Sequence, residues 1–283
     1  MAKEKSPPVT ACGKTELRWG ERTYVMGICN LSPDSFSGDG LGSNLEAALA
    51  QARRFVAEGA DIIDVGGEST RPGTKPVAGI GQELDLVIPV IQKLAAAIPV
   101  PVSVDTYKAE VARRALEAGA CMINDIWGFK RDPAMAGVAA AAGVPVVLMS
   151  NQRARPAEGD IMADIIADLQ GSIGLARQAG VRWENIIIDP GVGFGKKLEQ
   201  NLEIVGRLAE LKALGRPILL GTSRKSMIGL VLDLPVEDRL EGTAATVAIG
   251  IANGADIIRV HDVREMARVC RMSDAIVRRR QLA

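Results

Sequence analysis

Histidine, aromatic residues and long uncharged stretches are what this chain has least of, and each shortage removes a class of function. One histidine, His261, stands in 283 residues. A zinc centre built from several imidazoles is therefore excluded, while a hard cation held by oxygen atoms is not. Aromatic residues make up 3%, and 34 basic against 34 acidic side chains leave a formal net charge of zero. A nucleic-acid binder needs a basic face and stacking rings, so no nucleic-acid partner is expected. No run of about 18 uncharged apolar residues occurs, so no membrane span is expected. The N-terminal stretch has no apolar segment of signal-peptide length. Cys12, Cys29, Cys121 and Cys270 keep no metal-site or redox-motif spacing and fit small core residues in a reducing compartment, so the expected location is cytoplasmic.

What the chain has is an apolar fraction of 47%, enough for a large core, and eight short apolar runs separated by helical patterns. The runs are "YVMGI", "DIIDV", "VPVSV", "CMI", "VPVVLM", "NIII", "PILL" and "DIIRV". In the stretch "NLEAALAQARRFVAEGA", Leu45, Ala48, Leu49, Ala52 and Val56 share one helical face and Gly59 follows the expected helix end. "GADIID", "GACMIND" and "GADIIRVHD" repeat one form, in which a glycine closes a helix, a strand follows and an Asp appears at or just beyond it. Eight strand–helix units imply parallel strands joined by helical crossovers. The expected fold is an α/β (β/α)8 TIM barrel, with an open doubly wound sheet as the alternative. Residues 1–14 are expected to form a disordered tail and 15–283 a single domain. "ELRWGERTYVMG" is expected to open that domain with a short β-hairpin around Gly20 and Glu21.

Polar side chains collect where the apolar runs end. Asn30 follows the first, Asp64 lies in the second, and Asp105, Asn124 and Asp189 follow the third, fourth and sixth. The seventh meets Ser223, Arg224, Lys225 and Ser226, and the eighth holds Arg259 and meets His261. Parallel barrel strands all end at one rim, so these groups must converge there. Capping of the next helix explains single residues but not the whole set. Asp105, Asn124 and Asp189 can accept paired hydrogen bonds from a planar N–C–N edge. Arg71, Lys225, Arg259 and His261 favour an anion, as does the helix start in "GTSRKS". "GVGFGKK" lacks the spacing of a nucleotide loop, and Lys196 and Lys197 there read as solvated.

The motifs "VMGICNLSPDSFSGDG", "DIIDVGGESTRPGT", "VSVDTYKAEVA", "MINDIWG", "IIIDPGVGFGK", "LLGTSRKSMIG" and "IIRVHDV", in this order from about Thr23 to Ile276, resemble dihydropteroate synthase of the pterin-binding family. The resemblance implies a homodimeric barrel that condenses 6-hydroxymethyl-7,8-dihydropterin diphosphate with p-aminobenzoate, giving 7,8-dihydropteroate and diphosphate in folate biosynthesis. It implies Mg²⁺ as cofactor with Asn30 as ligand, and it makes Asp105, Asn124 and Asp189 partners of the pterin edge, with Lys225 beside the ring. Arg259 and His261 become diphosphate holders, and Asp64 a substrate-side carboxylate or a buried support. Asp34 and Phe36 in a first loop, and Thr70, Arg71 and Pro72 in a second, close over the reacting centre. Phe194 and Ser226 serve the aminobenzoate ring and its carboxylate. The second loop, Glu68 to Lys75, is expected to be loosely ordered without substrate. In "LMSNQR", Ser150 stands where the family has histidine, and "SGDG" replaces the more usual "SDGG". A pterin-binding methyltransferase and a non-catalytic pterin-binding paralogue remain as alternatives.

Overall fold

The structure is a computed structural model that describes residues 9–32, 44–68, 79–154 and 159–278. The chain opens with strands β1 (Val9–Cys12) and β2 (Thr15–Arg18), paired antiparallel. There follow β3 (Tyr24–Asn30), β4 (Ile62–Gly66), β5 (Val102–Asp105), β6 (Met122–Asp125), β7 (Val146–Met149), β8 (Ile186–Asp189), β9 (Leu219–Leu220) and β10 (Ile257–Val260). These eight are parallel, in the order β8-β7-β6-β5-β4-β3-β10-β9. Between β8 and β9 the ring closes through the single bridge Ile188–Ile218, where the Ile188 N–H donates to Pro217 O at 2.9 Å. Helices α1 (Leu45–Glu58), α2 (Ile80–Ala97), α3 (Ala109–Glu117), α4 (Met135–Ala142), α5 (Ile161–Gln178), α6 (Leu198–Gly206), α7 (Ser226–Leu232), α8 (Leu240–Ala252) and α9 (Val263–Val277) lie between and after the barrel strands. This is the TIM barrel expected from the eight apolar runs.

Side chains alternate along a strand, so each barrel strand faces two environments. Val25, Ile63, Val104, Ile123, Leu148, Ile188 and Ile258 pack outward in one cluster with the helices. Met26, Ile62, Met122, Val147, Ile187, Leu219 and Ile257 form a second cluster inside the barrel. Two residues further along their strands come Asp64, Asn124, Asp189 and Arg259. The same two-residue step that builds an apolar floor therefore carries polar groups up to the rim.

The hairpin closes the bottom of this floor, with Cys12 and Leu17 fully buried in the interior cluster. Its position corrects the expectation from sequence. The turn is Gly13-Lys14, with Cys12 opposite Thr15 and φ +59° at Gly13, and not Gly20-Glu21. Val9–Cys12 is a strand and not part of a disordered tail, because Thr10 and Cys12 are buried and Thr10 Oγ1 accepts the Trp19 Nε1–H at 2.8 Å. In α1, Asn44 caps the start by accepting the Ala47 N–H, and Gly59 at φ +107° ends it. The buried face runs through Phe55, while Val56 is only half-buried. α6 ends at its C-cap Arg207, and a 3-10 stretch, Leu208–Leu214, follows it. Among the described residues, no helix is long and apolar enough to cross a membrane.

Candidate active site

A cleft with about 460 Å³ of free space opens at the C-terminal rim. Asp105, Asn124, Asp189, Phe194, Lys225, Arg259 and His261 all line it, together with Ser223, Gly221, Ile28, Ile126 and Met149. Seven residues picked from sequence are thus brought together from β5, β6, β8, β10 and the segments after β8, β9 and β10.

An ion-pair hub lies at its base. Asp64 is fully buried below the cleft and does not line it. Its Oδ2 accepts from Arg259 Nε at 2.6 Å and from Asn124 Nδ2 at 3.0 Å. Arg259 Nη2 donates to Asp105 Oδ2 at 2.7 Å. Asn124 must then direct its amide oxygen away from Asp64, toward the cleft. Burial raises the Asp105 carboxyl to about 7, against the opposing pull of Arg259. Burial also raises Asp189, opposed by Lys225 and by the Gly191 N–H, which donates to its Oδ1 at 2.6 Å.

The loop after β8 shapes the opposite wall. Gly191, Gly193 and Gly195 have φ of +69°, +82° and +71°. A Cβ on Gly191 would stand 2.0 Å from the Ser150 carbonyl oxygen, so only glycine fits there. This tight path places Phe194 with Lys225 Nζ 4.9 Å from its ring centroid and the Arg153 guanidinium at 4.5 Å. Lys225 Nζ also donates to Val192 O, and burial lowers its pKa to about 8. Lys196 corrects the solvated reading. Its Nζ donates to the backbone oxygens of Ser150 at 3.0 Å, Gly191 at 2.8 Å and Phe194 at 3.3 Å. Burial lowers it to about 7. The Ser150 side chain, where an imidazole was expected, is buried and its Oγ has no hydrogen-bond partner among the described residues. Its backbone oxygen does the structural work.

Other expected residues stand apart from the cleft. Ser226 is exposed at the first residue of α7. Arg224 is a half-buried ion pair with Asp262, at 3.0 and 2.5 Å, that ties the segments after β9 and β10. Glu68 is held by Lys108 Nζ at 2.8 Å, which also holds Glu83 at 2.6 Å. Asp34, Phe36, Thr70, Arg71 and Pro72, and the loop from Ser69 to Lys75, lie outside the described residues. Asn30 ends β3, and its Oδ1 accepts the Ser32 N–H at 3.1 Å. Among the described residues no group of three or more His, Cys, Asp or Glu could hold a metal ion. One neutral amide oxygen with a lone pair to spare fits Mg²⁺ only where phosphate and water supply the remaining ligands.

Known proteins resemble this chain over most of its length. The family model for pterin binding enzymes matches residues 26–261. A dihydropteroate synthase of Clostridium beijerinckii is 54% identical over 268 residues, covering 94% of this chain and 99% of that protein. The chain belongs to the dihydropteroate synthase family. Among solved structures of the family, the synthase of Clostridium difficile in the presence of pteroic acid superposes with a TM-score of 0.87 at 52% identity, covering 92% of this chain and 98% of that one. The synthase of Xanthomonas albilineans with 4-aminobenzoic acid gives 0.89 at 40% identity, covering 96% and 98%.

Family membership and the cleft bear on different residues. The sequence pattern already names the groups that face inward at strand ends. Ser223, Lys196 and Lys108 act through partners that a linear reading does not pair with them.

Proposed function

We infer that this chain is a dihydropteroate synthase, a transferase that joins the pterinylmethyl group of 6-hydroxymethyl-7,8-dihydropterin diphosphate to p-aminobenzoate and releases diphosphate. The observation that carries the reading is one cleft lined both by acceptors, Asp105, Asn124 and Asp189, and by donors, Lys225, Arg259 and His261. The acceptors match the N–H groups along the pterin edge. Arg259 spends Nε and one Nη2 hydrogen on Asp64 and Asp105. Its remaining N–H groups are left for phosphate oxygens, in a geometry fixed by two carboxylates.

The reaction best supported is displacement at the pterin methylene in which C–O cleavage runs ahead of C–N bond formation. Arg259 and His261 stabilise the charge that grows on the departing diphosphate, where prearranged donors are most effective. Asn30 would hold Mg²⁺ together with the diphosphate, and the ion would add charge neutralisation to the leaving group. The aminobenzoate amine is neutral at about pH 7 and attacks without a strong base. Phe194 offers its ring to the aminobenzoate. The roles of Ser226, Asp34, Phe36, Thr70, Arg71 and Pro72 on that side rest on the family resemblance alone.

The working form proposed is a homodimer in the cytoplasm. Leu230 and Val231 on α7, Ile249 on α8, and Met272 and Ile276 on α9 are exposed apolar side chains on successive neighbouring helices. Such surface is usual for an interface. The Sγ atoms of Cys12 and Cys121 lie 3.7 Å apart as free thiols, which suits a reducing compartment.

The test mixes purified protein with Mg²⁺, the pterin diphosphate and p-aminobenzoate, and follows diphosphate and dihydropteroate. Equal amounts of both products, dependent on aminobenzoate, are expected. Diphosphate release at the same rate without aminobenzoate means hydrolysis. Retained pterin binding with no release refutes the synthase reading and leaves a pterin-binding paralogue.

A further inference from the structure

Ser223 and His261 follow the neighbouring parallel strands β9 and β10 and meet at the cleft. Ser223 Oγ lies 3.0 Å from His261 Nδ1 and accepts the His261 backbone N–H at 3.1 Å. Ser223 is buried, and its hydroxyl has no other partner among the described residues. A serine hydroxyl has one hydrogen and two acceptor sites. The backbone N–H occupies one acceptor site, so the orientation of the hydroxyl is decided by Nδ1. Were Nδ1 protonated, Oγ would accept twice and its own hydrogen would be buried without an acceptor, which is costly. With Nδ1 bare, the hydroxyl donates to it, and Oγ, its hydrogen and Nδ1 are all satisfied. The ring hydrogen must then sit on Nε2.

We propose that Ser223 is a positioning residue that holds His261 as the neutral Nε2–H tautomer, so that the imidazole enters the cleft as a fixed hydrogen-bond donor and not as a cation. The surroundings favour the neutral ring. Burial pushes His261 down to about 3, aided by Arg259, Arg224 and Lys225 and opposed by Asp262. Asp262 is itself engaged by Arg224. A protonated ring would add one more positive charge among those three. A neutral Nε2–H can bond a departing phosphate oxygen without surrendering its proton. The proposal deepens the synthase reading and rests on it for the identity of the anion, but the tautomer itself does not.

The chain has one histidine, so ¹⁵N-histidine labelling of the whole protein gives one unambiguous imidazole. At about pH 7 the expected spectrum has Nε2 protonated and Nδ1 bare with the shift of a hydrogen-bonded acceptor, and it persists well below the ordinary histidine pKa. Ser223→Ala removes the acceptor shift at Nδ1 and raises the His261 midpoint. It should lower kcat/KM for the pterin diphosphate about tenfold, the worth of one hydrogen bond. Affinity for a bare pterin should be unchanged. Ser223→Thr restores all three readouts, and Ser223→Cys, a weaker donor, falls between. His261→Gln, with an amide N–H in reach of the Nε2 position, retains more activity than His261→Asn. A protonated Nδ1, a midpoint near the ordinary 6.5, or a Ser223→Ala spectrum like the parent overturns the proposal. Inorganic diphosphate should move the Nε2 signal. If the tautomer is as stated but that signal ignores diphosphate and no turnover occurs, the synthase reading fails and the tautomer stands.

Discussion

Asp64 places two donors on one oxygen and has no partner for Oδ1, at zero exposure. Arg259 is its ion-pair partner, at 2.6 Å. Removing that partner leaves a buried carboxylate uncompensated, so Arg259→Ala should cost about 3 kcal/mol in denaturant unfolding. Asp64→Asn in the same chain should recover most of that stability, while handling of the pterin diphosphate stays lost. Recovery of both would refute a direct role for Arg259. Asp105 carries a pH dependence of its own. Its folded pKa, about 7, lies above the ordinary 3.8. Its contribution to stability is therefore complete below 3.8 and is lost as pH rises through about 7. In the proposed role pterin binding runs the other way, because the carboxylate accepts N–H groups more strongly than the neutral acid does. Calorimetry with a bare pterin should show affinity rising as pH passes about 7, and Asp105→Asn should flatten the curve.

At the scale of elements, the hairpin is a plug. Leu17 reaches the barrel floor with zero exposure, so Leu17→Ala should lose about 3 kcal/mol, as large-to-small changes in cores do. The rim lies at the other end of the strands, so kcat/KM should stay near the parent value. The hairpin also marks where sequence reading stops short. β1 and β2 have four residues each, too few for alternation to point to one pairing, and the glycine turn at Gly13 competes with that at Gly20. The runs around Ile63 and Ile258 were legible because apolar character persists on both faces. α4 was not anticipated, since "MAGVAAAA" shows no polar face. At the site, Asp105, Asn124, Asp189 and Arg259 were legible because each lies at or next to the end of a strand on the inward step. Lys196 was not, because its acceptors are backbone oxygens, one of them 46 residues away at Ser150. Asp64 was only half legible. Nothing in its own run tells a carboxylate below a cleft from one lining it.

For the molecule as a whole, the proposed dimer is a matter of mass. Sedimentation should give twice the mass of one chain, and Leu230→Glu combined with Ile276→Glu should give single chains with the same fold by circular dichroism. A monomeric parent protein would remove the proposal. The ring of strands carries a further consequence. Its weakest join is between β8 and β9, where a lone bridge replaces a ladder. Asp189 and Lys225 stand on opposite banks of that join and both line the cleft. In the proposed binding mode a pterin gripped by both would be a clasp across the gap, with substrate and scaffold stabilising each other. Amide exchange should be faster at Leu219 and Leu220 than at Ile63 in the free protein, and a bare pterin should slow it there most.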